Sequence, residues 1–344
     1  MKAWVLEGIN DLRFEDVPDP SLNMEGDEDK VIIRVKAAGI CGSDIPRIFK
    51  TGAYHHPLIP GHEFSGEVVK TGAAATGVKE GIRTGIFPLI PCRVCDQCRI
   101  REYQRCRNYD YLGSRSDGGF AEYVKVPAGN LLPLPDSVSF EAASMLEPMA
   151  VSVHAMRKGI RENDNKEIPV TVIGLGTIGL FLCLFLRERG YRVLGLANRE
   201  SRKELFTGLG FPESDFYLSD NVEESDSELI FECAGKNEAY EKAVSIAPPG
   251  GRIVSVGNPA SDMSLKKEVY WKILRNELII SGTWNSSFTG DLFDDWHYVL
   301  SRLEKGSFDA GLMISHKLSL PELMDGLLIM KNKSEEYTKI TVVP

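Results

Sequence analysis

Nowhere in the 344 residues is there an apolar run approaching the roughly 18 consecutive residues that a membrane span needs. The opening MKAWVLEGINDLRFEDV meets charge within a few positions and holds no signal-peptide core, so the chain is expected to stay in the cytoplasm. Positive charge is also scarce: 40 Lys and Arg stand against 49 Asp and Glu, a net charge of -9. Such a chain repels phosphate backbones and anionic lipid, which excludes nucleic acid and membrane as general partners but leaves room for a local basic pocket. Internal repeats and low-complexity segments are missing too. The hydrophobic fraction of 43% is ample for packed cores, and the length suits two domains.

Cysteine, by contrast, is present and clustered. Seven cysteines fall at positions 41, 92, 95, 98, 106, 183 and 233. In a reducing compartment such clustering argues for metal rather than disulfides. PCRVCDQCRIREYQRC carries Cys92, Cys95, Cys98 and Cys106. Two Cys-x-x-Cys steps let the backbone fold round one ion, and a short excursion returns a fourth thiolate. Four thiolates at about 2.3 Å complete a zinc tetrahedron with no open position, so this site is structural. The alternatives are an iron–sulfur cluster or four unrelated cysteines. A nucleic-acid zinc ribbon spaces its pairs farther apart and fits the acidic charge badly.

Cys41 in GICGSD, His62 and Glu63 in PGHEF, and Glu147 in MLEPMA lie outside that cluster. One thiolate, one imidazole and one or two carboxylates suit a zinc that keeps a coordination position open, as a catalytic zinc must. Each residue also has a plain structural explanation, as a core cysteine or a turn.

Residues 1–150 hold short strand signals between Gly and Pro turns, as in VIIRVKAAGI, EFSGEVVKTG and GGFAEYVKV, and predict an irregular, mostly β domain. From Ser139 the pattern changes. SFEAASMLEPMAVSVHAMRKG predicts a helix. VTVI, GLGTIG, FLCLFLRERG and YRVLGL then read as strand, turn, helix and strand, a βαβ unit. Further strands at SELIFECAG, GRIVSVGN and ELIISGTW imply a doubly wound parallel sheet over residues 151–288. Helices in DLFDDWHYVLSRLEKG and LPELMDGLLIMKNK and a strand at TKITVVP close the chain.

Gly174-Leu175-Gly176-Thr177-Ile178-Gly179 is a G-x-G-x-x-G that follows a strand and opens a helix, the context in which it binds a dinucleotide pyrophosphate. Gly174 permits the tight turn, Gly176 the approach of the phosphates and Gly179 close helix–strand packing, while the helix N-terminus offers free N–H groups. An acid about 20 residues on would bind an NAD ribose. The second strand instead leads into Asn198, Arg199, Glu200 and Arg202, where two guanidiniums could pair with the 2′-phosphate of NADP.

In order, GICGSD, PGHEFSGEVV, the four-cysteine lobe, GGFAEY, LEP and VIGLGTIG resemble the zinc-containing medium-chain alcohol and polyol dehydrogenases over essentially the whole chain. Glutamate at position 147 resembles the sorbitol dehydrogenase branch, since the simpler alcohol dehydrogenases carry cysteine there. The resemblance implies a GroES-like irregular β-barrel from residues 1–150 and 289–344, with a Rossmann domain between them and substrate and nicotinamide in the interdomain cleft. It implies two zinc ions. One, catalytic, is ligated by Cys41, His62 and Glu147, with Glu63 a ligand or exchanging neighbour. The other is held by Cys92, Cys95, Cys98 and Cys106. Ser43 is placed as the first hydroxyl of a proton relay whose usual next histidine is here Pro46, and Asp44 as a carboxylate orienting the ligand loop.

The expected reaction is oxidation of a secondary hydroxyl of a sugar alcohol, or of its phosphate, to a ketose with hydride transfer to NAD or NADP. The resemblance favours NAD and the residues favour NADP; the balance falls slightly to NADP. Cation candidates for a substrate phosphate are Arg47, Lys50, Arg115 and Arg275, with Tyr54, His55 and His56 on the same loop. A homodimer or homotetramer is expected through the ELIISGTW strand. The competing expectations are an unphosphorylated polyol such as sorbitol or iditol, a threonine or simple alcohol substrate, and, in another class, an inert zinc- and dinucleotide-binding protein.

Overall fold

The computed structural model describes residues 1–259 and 261–344. They form two units: Met1–Glu147 with Ser287–Pro344, and Pro148–Ser286.

The first unit is built on a seven-stranded sheet. Its central strand, Lys30–Ile40, has most of its side chains buried, because it pairs with Glu63–Thr71, Tyr123–Pro127 and Lys339–Val343. That pairing explains why VIIRVKAAGI reads as a nearly unbroken apolar run. Its Ile33, Val35 and Ile40 join Phe64, Phe120, Leu323 and Leu327 in one core. Truncating any one of these to alanine should cost roughly 2–5 kcal/mol. Three strand ends meet on one side. Gly39 is opposite Glu63, and Ile340 is opposite Ile40, so residues 41, 62–63 and 339 are brought together from distant parts of the chain.

In the second unit six parallel strands lie in the order Phe216–Leu218, Val193–Ala197, Val170–Ile173, Leu229–Glu232, Arg252–Ser255 and Ile279–Gly282. Numbered along the chain this is 3-2-1-4-5-6, the Rossmann order, and the winding reverses between Val170–Ile173 and Leu229–Glu232. The run VTVI is buried throughout, as a parallel strand covered on both faces must be. The second unit thus has the expected Rossmann topology, and the first is the expected mostly β unit.

One expected helix differs. SFEAASMLEPMAVSVHAMRKG forms two helices, Phe140–Ser144 and Leu146–Gly159. Pro148 falls in the first turn of the second, where a missing N–H breaks no helical bond. That start puts Glu147 in the first turn of a 14-residue helix. Among the described residues no helix is long and apolar enough to cross a membrane.

Candidate active site

Cys41 follows the Lys30–Ile40 strand directly, and Glu63 begins the strand beside it. Sγ of Cys41, a ring nitrogen of His62 and a carboxylate oxygen of Glu63 all lie within 4.8 Å of one another. His62 and Glu63 are buried, and Cys41 is half-buried. Mixed donors at this separation can converge on one cation while leaving a position free.

Buried neighbours hold the three in place. Asp44, fully buried, accepts from the Cys41 N–H at 3.0 Å and from Arg47 at 2.6 Å. Its Oδ1 stands 3.5 Å from Nδ1 of His62, an electrostatic contact too long for a hydrogen bond, and Nδ1 has no hydrogen-bond partner. This places a buried carboxylate beside the imidazole, in electrostatic contact with it. Burial opposes charge on both groups. Even so, Asp44 and Cys41 hold the His62 pKa well above its usual value, and His62, Arg47 and the Cys41 N–H keep Asp44 below its own. Ser43 Oγ donates to Cys41 Sγ at 3.3 Å.

Glu63 meets the ammonium of Lys339, and both side chains are almost fully buried. Lys339 also donates to the Ile40 carbonyl at 3.1 Å. Burial would lower the Lys339 pKa, but Glu63 and Cys41 raise it, so the lysine stays charged. Gly39 makes room for the pair, because a Cβ there would stand 2.5 Å from Glu63 Oε2.

Glu147 does not join the set within 4.8 Å. Its Oε1 accepts from the Tyr111 hydroxyl at 3.2 Å, and the Tyr111 ring centre is 5.8 Å from that of His62. Burial pushes Glu147 up to about 7. Glu63 adds to the rise, while His62 and Lys339 oppose it. Three buried carboxylates thus share this region with the Cys41 thiol, the His62 imidazole and the cations Lys339 and Arg47. A divalent cation fits that donor chemistry and charge.

The second cluster is local. Cys92, Cys95, Cys98 and Cys106 lie within 4.8 Å of one another, with Cys92–Cys98 and Cys95–Cys106 sulfurs 3.9 Å apart. Zinc–sulfur bonds of about 2.3 Å give a tetrahedral edge of about 3.8 Å, so the four fit that ion closely. A disulfide would need about 2.05 Å, and all seven cysteines are free. Backbone N–H groups of Arg107 and Cys98 bring Cys95 down to about 6, whereas burial pushes Cys98 up to about 12.

At the glycine turn Gly174 has φ +93°, and a Cβ would meet the Ala234 backbone nitrogen at 2.8 Å. A Cβ on Gly179 would stand 2.0 Å from the Gly174 carbonyl oxygen, so the helix Thr177–Glu188 could not approach. Gly176, at that helix's N-cap, has no chain atom within 4 Å of a built Cβ. Two glycines therefore serve packing, and the third faces open space at a helix N-terminus, where a pyrophosphate fits. Thr177 and Ile178 begin the helix. Glu232, buried at the end of the neighbouring strand, accepts from the Ala234 and Gly235 N–H groups at 2.8 Å and shapes the facing turn. Asn198 and Arg199 are exposed after the second strand, whereas Arg202 is buried. Glu200 is drawn to Lys203 at 3.3 Å.

Sequence reasoning missed Tyr111 and Lys339. A lone lysine beside the apolar run ITVV was a weak signal for the second; for Tyr111 there was none.

Two family models match this chain. Residues 27–136 match the alcohol dehydrogenase GroES-like domain, and residues 177–305 match the zinc-binding dehydrogenase domain. Galactitol 1-phosphate 5-dehydrogenase of Escherichia coli K12 is 32% identical over 302 residues, covering 84% of this chain and 86% of that protein. L-threonine 3-dehydrogenase of Bacillus licheniformis is 29% identical over 100% of this chain and 99% of its own. Among solved structures, galactitol-1-phosphate dehydrogenase from Escherichia coli superposes with a TM-score of 0.88 at 29% identity over the full length of both chains. Two chains at 25% identity, each covering 100% of this chain and 99% of its own, were solved with cofactor. A zinc-binding dehydrogenase from Sinorhizobium meliloti holds NADP (TM-score 0.84), and a short chain alcohol dehydrogenase from Escherichia coli CFT073 holds NADH (TM-score 0.83). The chain belongs to the zinc-binding medium-chain dehydrogenases, oxidoreductases acting on CH–OH groups.

Proposed function

We propose that this dehydrogenase oxidises a secondary hydroxyl of a sugar-alcohol phosphate of the galactitol 1-phosphate type to the ketose, with NADP or NAD as hydride acceptor. The observation that carries the reading is the convergence of Cys41, His62 and Glu63 within 4.8 Å, with buried Glu147 beside them. Cys41, His62 and Glu147 are the proposed catalytic-zinc ligands, Glu63 a ligand or exchanging neighbour, and the four-cysteine lobe the structural site. Bound there, a zinc ion supplies Lewis acidity to the substrate hydroxyl, and a nicotinamide supplies the hydride acceptor. The residues themselves do the rest. Asp44 holds the Cys41 backbone N–H and lies in electrostatic contact with the His62 ring. Lys339 competes for Glu63 and so limits how far that carboxylate can move toward a cation. Ser43, in contact with the Cys41 sulfur, is the proposed first hydroxyl of a proton relay, taking the substrate's proton as it passes its own to water or the cofactor ribose.

For the dinucleotide, Gly174, Gly176 and Gly179 shape the pyrophosphate turn. Exposed Arg199, with Glu200 engaged by Lys203, supports NADP over NAD. Gly176→Ala should keep the wild-type melting temperature and weaken dinucleotide binding, whereas Gly179→Ala should lower stability. A homo-oligomer formed through the sheet edge Ile279–Gly282 is supported by exposed Ile279, Ile280 and Trp284, with Tyr270, Trp271 and Leu274 also exposed on the Lys267–Arg275 helix.

Free and phosphorylated hexitols and L-threonine, each assayed with NAD and with NADP by reduced-cofactor absorbance, test this reading. The highest kcat/KM should fall on a phosphorylated hexitol with NADP. Threonine as the best substrate would overturn it. Metal analysis should give about two zinc per chain.

A further inference from the structure

We propose that Arg115 is the anchor for the anionic end of the substrate, an assignment that rests on the phosphorylated-polyol reading. Its guanidinium lies 4.2 Å from the Tyr54 ring centre and 4.3 Å from that of Tyr109. It donates to the Tyr109 carbonyl at 3.1 Å and to the Tyr54 hydroxyl at 3.2 Å. His55 ties the two loops together, its ring nitrogens 3.1 Å from the Pro57 carbonyl and 2.9 Å from the Arg115 carbonyl. Among the described residues Arg115 has no carboxylate partner, in a chain with 49 acidic residues. Arg47, Arg101 and Arg105 are each paired with one. Arg115 is therefore a preorganised cation whose remaining N–H edge is not neutralised. A flat guanidinium stacked on rings keeps its in-plane donors for a planar or tetrahedral oxyanion.

Its place in the unit suits that role. The Tyr109 ring centre is 6.2 Å from that of Tyr111, and the Tyr111 hydroxyl contacts Glu147. The cation thus stands two aromatic rings, Tyr109 and Tyr111, from the Glu147 carboxylate. Its competitors fit less well. Arg47 is bound to buried Asp44, Lys50 is exposed with no ring to fix it, and Arg275 belongs to the other unit, over Trp271.

The test is the ratio of kcat/KM for galactitol 1-phosphate to that for galactitol, in wild type, Arg115→Ala, Arg115→Lys and Lys50→Ala. Zinc content and melting temperature confirm that each variant is folded. In wild type the ratio should be well above one. In Arg115→Ala it should fall roughly 10- to 100-fold, the loss expected for a charge-assisted hydrogen-bonded pair, and mainly through KM. Arg115→Lys, which keeps the charge without the planar fork, should fall less, and Lys50→Ala hardly at all. If Arg115→Ala does not fold, Arg115→Lys and Lys50→Ala decide between the two cations. A high wild-type ratio that survives removal of Arg115, or that collapses with Lys50 instead, overturns this assignment and leaves the phosphorylated-substrate reading standing. A wild-type ratio near one sinks both.

Discussion

The two candidate metal clusters in this chain are built in opposite ways. The cysteine lobe draws four like donors from one segment, positions 92 to 106, much of it loop. The other draws unlike donors from positions 41, 62 and 63, with the Glu147 carboxylate outside that set, and its supports from 44, 111 and 339. Four thiolates saturate zinc and leave nothing for a substrate to do. A thiolate, an imidazole and carboxylates whose charge is shared with Lys339 leave both a coordination position and an electrostatic balance that can change. Local sequence suffices for a clamp, whereas an assembled site needs the sheet to be correct first.

The largest break in this contrast should come from His62→Ala. Losing an imidazole ligand removes Lewis-acid activation worth several kcal/mol, so kcat should fall on the order of 10³-fold or more. Metal content should fall by about one zinc per chain, with the cysteine lobe still loaded. A variant that kept both zinc ions and most of its turnover would mean that the assembled cluster is not the reaction centre.

Next is Lys339→Met. It leaves Glu63 as a buried carboxylate without its partner, a change that costs about 3–5 kcal/mol. A cation bound beside Glu63 would compensate part of that charge. The drop in melting temperature should therefore be smaller in the zinc-loaded chain than after chelation. Equal drops in both states would show that Glu63 does not sense the metal.

Ser43→Ala should act more weakly, slowing alcohol oxidation roughly 10- to 100-fold, toward the low end of the range for a positioned proton-transfer group, with both zinc ions retained. Wild-type turnover would leave Ser43 only its observed bond to the Cys41 sulfur.

The same contrast explains what could be read in the sequence. The lobe was legible because its spacing is the site. The Rossmann unit was legible because VTVI, the glycine turn and the following helix are contiguous, with Gly174 and Gly179 answering to local contacts and Gly176 to open space at the helix N-terminus. Cys41, His62, Glu63 and Glu147 were legible singly by donor chemistry, but only the resemblance joined them, since the register Gly39–Glu63 and Ile40–Ile340 that unites them is a property of strand pairing. Lys339 gave only a weak signal for the same reason, and Tyr111 gave none. The break between helices at Met145 was missed because the apolar periodicity continues across it, and only Pro148 hinted at a new helix start.

Cys98→Ser should have the smallest effect on turnover, and that is its value. Cys98 is the most deeply buried thiol of the lobe, and burial, with its three cysteine neighbours, pushes it up to about 12, so a cation paired with it would favour the thiolate. Replacing it should release one zinc and loosen residues 92–106, which limited proteolysis would detect as new cleavage there. The lobe is tied to its unit by Arg101, through the Thr289 carbonyl at 2.6 Å and Asp291 at 2.9 Å, contacts remote in sequence from residues 41, 62 and 147. Turnover per remaining zinc should therefore stay near wild type at low temperature and be lost at a lower temperature than in the parent. If instead kcat fell with His62-like severity while the second zinc stayed bound, the two clusters would be coupled, and their division into clamp and reaction centre would fail.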